Sequence, residues 1–174
     1  QFAPVPQYWV EVAGEESEAD DWVLGFRDIT NPTNARTSIA AVLPHRYTGN
    51  TLVQLLPDSV QARQSMARWA PLLLSTLNSL AFDYVTRQKA KWTHLNWFIV
   101  EQLPVIAPSR FDEALPAAFA LRMRGDGLMN GHHESPTVAD FVLPQVLALS
   151  YTAHDLAPFA RDLGYVNEQK QMLP

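Results

Sequence analysis

The chain has 174 residues, 47% of them apolar and none of them cysteine, with a net charge of −5. That length and apolar fraction suit one domain with a sizeable core. The lack of cysteine excludes a disulfide scaffold and any thiolate metal site and fits a reducing cytoplasm, and no run of about 18 apolar residues exists to span a bilayer.

Residues 1–7 hold two prolines and are expected to be extended and loosely attached. Residues 7–12 form a short strand candidate, and residues 14–21 (GEESEADD) an acidic, solvated loop. Residues 22–29 alternate, with Trp22, Leu24, Phe26 and Asp28 on one face and Val23, Gly25 and Arg27 on the other, so a strand is predicted. Residues 30–34 (TNPTN) supply a turn. Residues 36–43 alternate again, and Pro44 ends that strand. Residues 45–50 form a loop around Gly49. Residues 51–56 make a third strand, stopped by Pro57.

Asp58 or Ser59 caps a helix reaching about Ala70, where Pro71 breaks or restarts it. A central helix over 72–88 carries Leu73, Leu77, Leu80, Ala81 and Tyr84 at the spacing of one buried stripe. It delivers a basic, aromatic loop to the surface (Arg87, Lys89, Lys91, Trp92 and His94), and the apolar run 95–100, closed by Leu103-Pro104, returns the chain to the core. Residues 105–108 leave the core, and 111–124 are weakly helical around Pro116. Residues 125–136 form a loop by composition. Ser135 or Thr137 caps a helix over 138–151, kinked at Pro144. Thr152 caps another over 153–163, and Gly164 ends it as a C′ residue. No internal repeat or low-complexity segment is visible.

The order of elements gives an α+β class: a mostly antiparallel sheet from the N-terminal third, packed on the central helix, with a helical C-terminal part. Residues 1–108 are expected to form the α+β portion and residues 109–174 a helical extension packed on it, as one structural unit. No secretory leader is visible. A start at Gln1 and an end at Pro174 in a polar run lead to the expectation of a piece cut from a longer protein.

Charge is unevenly spread. Residues 1–26 are net −6, residues 27–110 net +5 and residues 111–174 net −4. A binding surface responds to such asymmetry more than to the total, although any chain cut in three shows some imbalance.

Three stretches, residues 22–44 (WVLGFRDITNPTNARTSIAAVLP), 77–105 (LNSLAFDYVTRQKAKWTHLNWFIVEQLPV) and 150–165 (SYTAHDLAPFARDLGY), together resemble the C-terminal part of large bacterial N6-adenine DNA methyltransferases. In these fused restriction-modification or phage-defence enzymes a target recognition domain follows the methylase domain. The leucine-asparagine-serine helix start and later leucine-proline of the middle stretch are also similar to recognition domains of type I specificity subunits. The resemblance implies double-stranded DNA and the methylase domain of the same polypeptide as partners, in the cytoplasm and away from any membrane. It implies S-adenosylmethionine as the cofactor of the parent enzyme, with none held by this chain. The Asn-Pro-Pro-aromatic or Asp-Pro-Pro-aromatic motif that holds a flipped adenine does not occur. Asn31-Pro32 is followed by Thr33, and Gly125-Asp126-Gly127 is too short for a cofactor loop. No methylation by this chain alone is expected.

The candidate DNA-binding residues form two groups. Arg27, Asn34, Arg36, Thr37 and Arg46 lie on or beside the first strands; arginine reads guanine bidentately and asparagine reads adenine. Their plain alternative is an ordinary solvated edge. Arg87, Lys89, Lys91, Trp92 and His94 form the densest basic cluster, suited to phosphate contacts with Trp92 on sugar or base; the alternative has Arg87 and Lys89 meeting carbonyls at the helix C-terminus. His132-His133-Glu134 lacks a further ligand at zinc spacing and reads as a solvated loop. Asp155 and Asp162 read as the charged face of an amphipathic helix, and Glu168-Gln169-Lys170 as part of the polar tail and not a nuclease cluster. No metal site is expected. The competing function is a structural module that docks methylase to nuclease or to a partner subunit without touching DNA.

Overall fold

Trp22–Arg27 (WVLGFR) is rich in aromatic and β-branched residues and forms the central strand, β1. Its first five residues are all buried, so the expected two-faced alternation is replaced by a strand covered on both sides. β2 (Ala40–Pro44) and β3 (Leu52–Leu55) flank it, both antiparallel, in the order β2-β1-β3. Trp22 lies opposite Pro44 and Phe26 opposite Ala40, while Leu24 faces Leu55. Gly25 fits a close approach: a Cβ at that position would sit 3.0 Å from the Val53 carbonyl oxygen and 3.3 Å from the Leu43 side chain, so the flanking strands would have to give way slightly.

The computed structural model describes residues 21–44, 48–91, 93–125 and 136–165. The expected strand at 7–12, nearly all of the acidic loop 14–21, Arg46, Trp92, the 126–135 loop with His132-His133-Glu134, and the polar tail lie outside those residues.

The second strand is shorter than the sequence pattern predicts. Alternation begins at residue 36, but the ladder begins at Ala40, because the N–H groups of Thr37 and Ser38 go to the Asp83 carboxylate. The helices also depart from expectation. α1 runs unbroken over Val60–Leu77, straight through Pro71. Proline removes one N–H from the helix ladder, and here the ring is fully buried among the core residues. The stripe that α1 buries is Met66, Ala70, Leu74 and Leu77, and the helix packs on α5 (Val138–Ser150) and on β2.

The break falls instead at Asn78. Its side-chain Oδ1 accepts the Ala40 N–H at 2.9 Å, and its Nδ2 donates to the Ala40 carbonyl at 2.9 Å. The amide thus extends the β2 ladder as a backbone peptide would. Ser79 then caps a new helix, α2 (Leu80–Lys89), its Oγ accepting the Phe82 N–H at 3.1 Å. The restart resets which residues face inward. Phe82, Asp83 and Thr86 are buried, whereas Leu80 is 76% exposed and Tyr84 65% exposed. Of the predicted stripe, Leu77 is buried and Leu73 partly so; Leu80, Ala81 and Tyr84 are corrected to solvent-facing positions.

Beyond α2 the chain places Leu95, Ile99 and Leu103 in the core through the short α3 (Trp97–Val100). Trp97 and Phe98 stay more than half exposed, with the Trp97 ring stacked on Phe26 at 6.3 Å between centroids. A 3₁₀ turn at Pro108–Asp112 buries Phe111 and leads to α4 (Ala117–Gly125). Thr137 and Asp140 form a reciprocal capping box at the start of α5, and Pro144 lies inside α5 without ending it. Thr152 does not cap the last helix. A 3₁₀ turn at His154–Leu156 runs into α6 (Ala157–Asp162), with Pro158 in the first turn of α6, where its missing N–H costs nothing. Gly164, at φ 81°, closes α6 as expected.

α6 packs Phe159 edge-on against Trp22 at 5.0 Å, and the Trp22 indole N–H donates to Asp162 Oδ2 at 2.8 Å. The buried cluster therefore joins β1 and β2 to α1, α2, α5 and α6, an α+β architecture. Among the described residues no helix is long and apolar enough to cross a membrane. Phe159→Ala is expected to cost about 3–5 kcal/mol in urea denaturation, whereas Phe98→Ala should stay within about 0.5 kcal/mol; equal effects would contradict this placement of the core.

Candidate nucleic-acid interface

The sequence-selected residues Arg27, Asn34, Arg36, Thr37 and Arg87 converge on one loop, residues 28–38, which leaves β1 and enters β2. Its inner residues Thr30, Thr37 and Ser38 are buried, and its tip, Thr33, Asn34 and Ala35, is exposed. Asn31 shapes the tip as an Asx turn, its Oδ1 accepting the Thr33 N–H at 2.9 Å.

Asp83 fastens this loop to α2. Its Oδ1 accepts the N–H groups of Thr37 at 2.7 Å and Ser38 at 2.8 Å, and its Oδ2 accepts Arg87 at 3.0 Å. Arg36 Nε lies 3.5 Å from Oδ1, a charge contact rather than a hydrogen bond. Burial opposes the charged carboxylate of Asp83. The Ser38 N–H, the Arg87 guanidinium, the Thr37 N–H and the charge of Arg36 outweigh it, and hold the group below its ordinary 3.8.

Both arginines also grip backbone. Arg87 donates to the carbonyls of Pro32, Asn34 (2.9 Å) and Ala35 (3.2 Å). Arg36 donates to the Asn78 carbonyl at 2.6 Å, at the end of α1. Arg27 reaches the Arg36 carbonyl at 3.1 Å, and the Thr30 hydroxyl donates to the Thr37 carbonyl at 2.6 Å, closing the loop's neck. Thr37 is fully buried, so its side chain belongs to the neck and not to the exposed tip.

His94 lies on the other flank. The Thr30 N–H donates to the Thr93 carbonyl, the Leu95 N–H donates to the Asp28 carbonyl, and His94 Nδ1 lies 2.6 Å from Asp28 Oδ2. Lys89, the last residue of α2, and Lys91, two residues beyond it, are exposed, with Lys89 Nζ 3.3 Å from Gln102 Oε1. Of the three guanidiniums, those of Arg36 and Arg87 face the Asp83 carboxylate, while Asp28, on the same loop, lies against His94, and two lysines extend the basic surface. Arg46 and Trp92 lie outside the described residues.

Residue type alone singles out neither Asp83 nor the backbone contacts of Asn78. The available signals were Asp83 four residues before Arg87 on a helix and the Asn78-Ser79 pair, a cap signature inside an apparently continuous helix. Comparison of the chain with family models, with curated proteins and with solved structures gives no match.

Asp83→Asn keeps the shape but removes the charge that faces Arg36 and Arg87. A depressed carboxylate adds stability that is present above its unfolded value and lost as pH falls through the folded one. The variant is therefore expected to be about 1–3 kcal/mol less stable at pH 7. The gap to the wild type should begin to narrow as pH falls below the ordinary 3.8 of an aspartate and close as it falls through the lower folded value. Urea midpoints across pH 2.5–7 test this, and a gap that persists unchanged at the acid end would refute it.

Proposed function

We propose that this chain is a DNA sequence-recognition domain that works beside an adenine-N6 methyltransferase domain in a bacterial restriction-modification or phage-defence enzyme. The observation that carries the reading is the 28–38 loop: an exposed tip of Thr33, Asn34 and Ala35 on a neck fixed by Asp83 and three arginines. Base recognition needs polar side chains held still at the surface and a positive surround to attract phosphates, and the loop supplies both. The tip is rigid because its carbonyls are spent on Arg87. The surround stays positive because the loop and its anchor carry two carboxylates, Asp28 and Asp83, against three guanidiniums and two lysines. In this reading Asn34 contacts a base edge, Lys89 and Lys91 contact phosphates, and Arg87 acts by holding the tip. Adenine flipping and S-adenosylmethionine binding belong to the methylase domain of the cytoplasmic parent enzyme, whose motifs this chain lacks.

A second reading, a docking module with no DNA contact, draws support from the exposed apolar residues Trp97, Phe98, Val105 and Ile106.

Two substitutions separate them. Replacing Lys89 and Lys91 with Gln together should lower the slope of log affinity against log salt by about 2, from roughly 0.9 counterion per phosphate contact. Asn34→Ala should change the preferred sequence and leave that slope alone. Arg87 stays in place because its loss would also loosen the tip. An unchanged slope together with an unchanged preference would hand the case to docking.

A further inference from the structure

Three surfaces stand out beyond the loop itself: the Trp97-Phe98 patch, the His94-Asp28 pair and the outer face of α2. The outer face of α2 is continuous with the loop tip. At 3.6 residues per turn, Arg87, Leu80, Tyr84 and Gln88 follow one another around the helix in steps of about 20–40°. Arg87 faces the loop and binds its carbonyls. Leu80 and Tyr84 come next and are mostly exposed, and Gln88 is exposed beyond them. The restart at Asn78-Ser79 turns these side chains outward, since a continuation of α1 would have buried Leu80 and Tyr84.

We propose that this face of α2, with Asn34, forms one base-contacting surface that enters the DNA major groove, with Gln88 reading adenine and Leu80 and Tyr84 packing on thymine methyl groups. The inference rests on the DNA-recognition reading and adds its specificity residues. Charge selects the occupant. Asp83 is the sole acid of α2, and it is buried. The face is bordered by Arg36 and Arg87 on the loop side and by Lys89 and Lys91 at its C-terminal end. An apolar and amide centre with a cationic rim matches a groove floor between two phosphate rows. The major groove admits one helix, glutamine pairs bidentately with adenine, and apolar side chains meet the thymine methyl. Ten residues make α2 about 15 Å long, enough to cover several base edges.

The test uses the 174-residue chain and a library of randomised DNA duplexes, with bound sequences selected at low ionic strength. Gln88→Ala should reduce discrimination at one base pair by about 5- to 150-fold, the range of a bidentate contact. Leu80→Ala with Tyr84→Ala should relax the preference at pairs next to those set by Asn34. Gln88→Glu should weaken binding to every duplex, because it places an acid between the phosphate rows. All these positions are exposed, so urea midpoints should match the wild type. If Asn34→Ala shifts the preferred sequence while the α2 variants leave both preference and affinity unchanged, the inference is overturned and the recognition reading stands. If the wild type selects no sequence at all, both fall. If Leu80→Ala with Tyr84→Ala instead lowers affinity for a separately expressed methylase domain and leaves DNA selection intact, α2 is a protein-docking face and the inference is likewise overturned.

Discussion

The carboxylate of Asp83 receives two backbone N–H groups and faces two guanidiniums, and the shape of the exposed face follows from that arrangement. Without the carboxylate, the Thr37 and Ser38 N–H groups would be buried donors lacking an acceptor, at a cost of about 1–3 kcal/mol each. With it, they leave the β2 ladder and draw the loop down onto α2. Arg87 can then span the loop and bind three of its carbonyls. A residue on a helix thus determines where a strand begins and which loop atoms meet solvent.

Asn78 works in partnership with Asp83. Its amide takes both backbone groups of Ala40, so the end of α1 is fixed against the first residue of β2. α2 starts from that fixed point, and Asp83, four residues on from Ser79, arrives beside Thr37 and Ser38. The two side chains bind three residues, Thr37, Ser38 and Ala40, of the four-residue stretch of backbone 37–40. This is why the loop neck is rigid where the tip is open.

Local patterns in the sequence were good guides wherever local physics decides. β1, the turn at 30–34, the Thr137 cap and the Gly164 terminator each depend on residues within a few positions of one another. The errors lie where a distant partner decides. Pro71 reads as a breaker, yet burial against the core keeps α1 intact. Leu77-Asn78-Ser79 reads as a helix start only through the family resemblance, and the pairing of Asn78 with Ala40, 38 positions away, leaves no local pattern. The predicted stripe then fails at Leu80 and Tyr84, since periodicity cannot register a restart. In the candidate site, the arginines and asparagine were legible by residue type. Their division into tip and neck was not, because it depends on Asp83, which is 45 positions from Ser38.

The hydrogen bond from Trp22 to Asp162 joins residues 140 positions apart, and Phe159 packs on the same indole. A ribosome adding about 5–20 residues per second needs roughly 7–28 s between making the two ends of that bond. During that interval β1, the central strand, lacks the helix that covers its first residue. Hairpin pairing with β2 and β3 can form early, but the edge-on contact of Phe159 and the hydrogen bond to Asp162 cannot form until α6 emerges. Newly made chains therefore pass through a period in which the sheet is paired but its contacts with α6 are still unmade. A stop codon anywhere before α6 would remove those contacts for good.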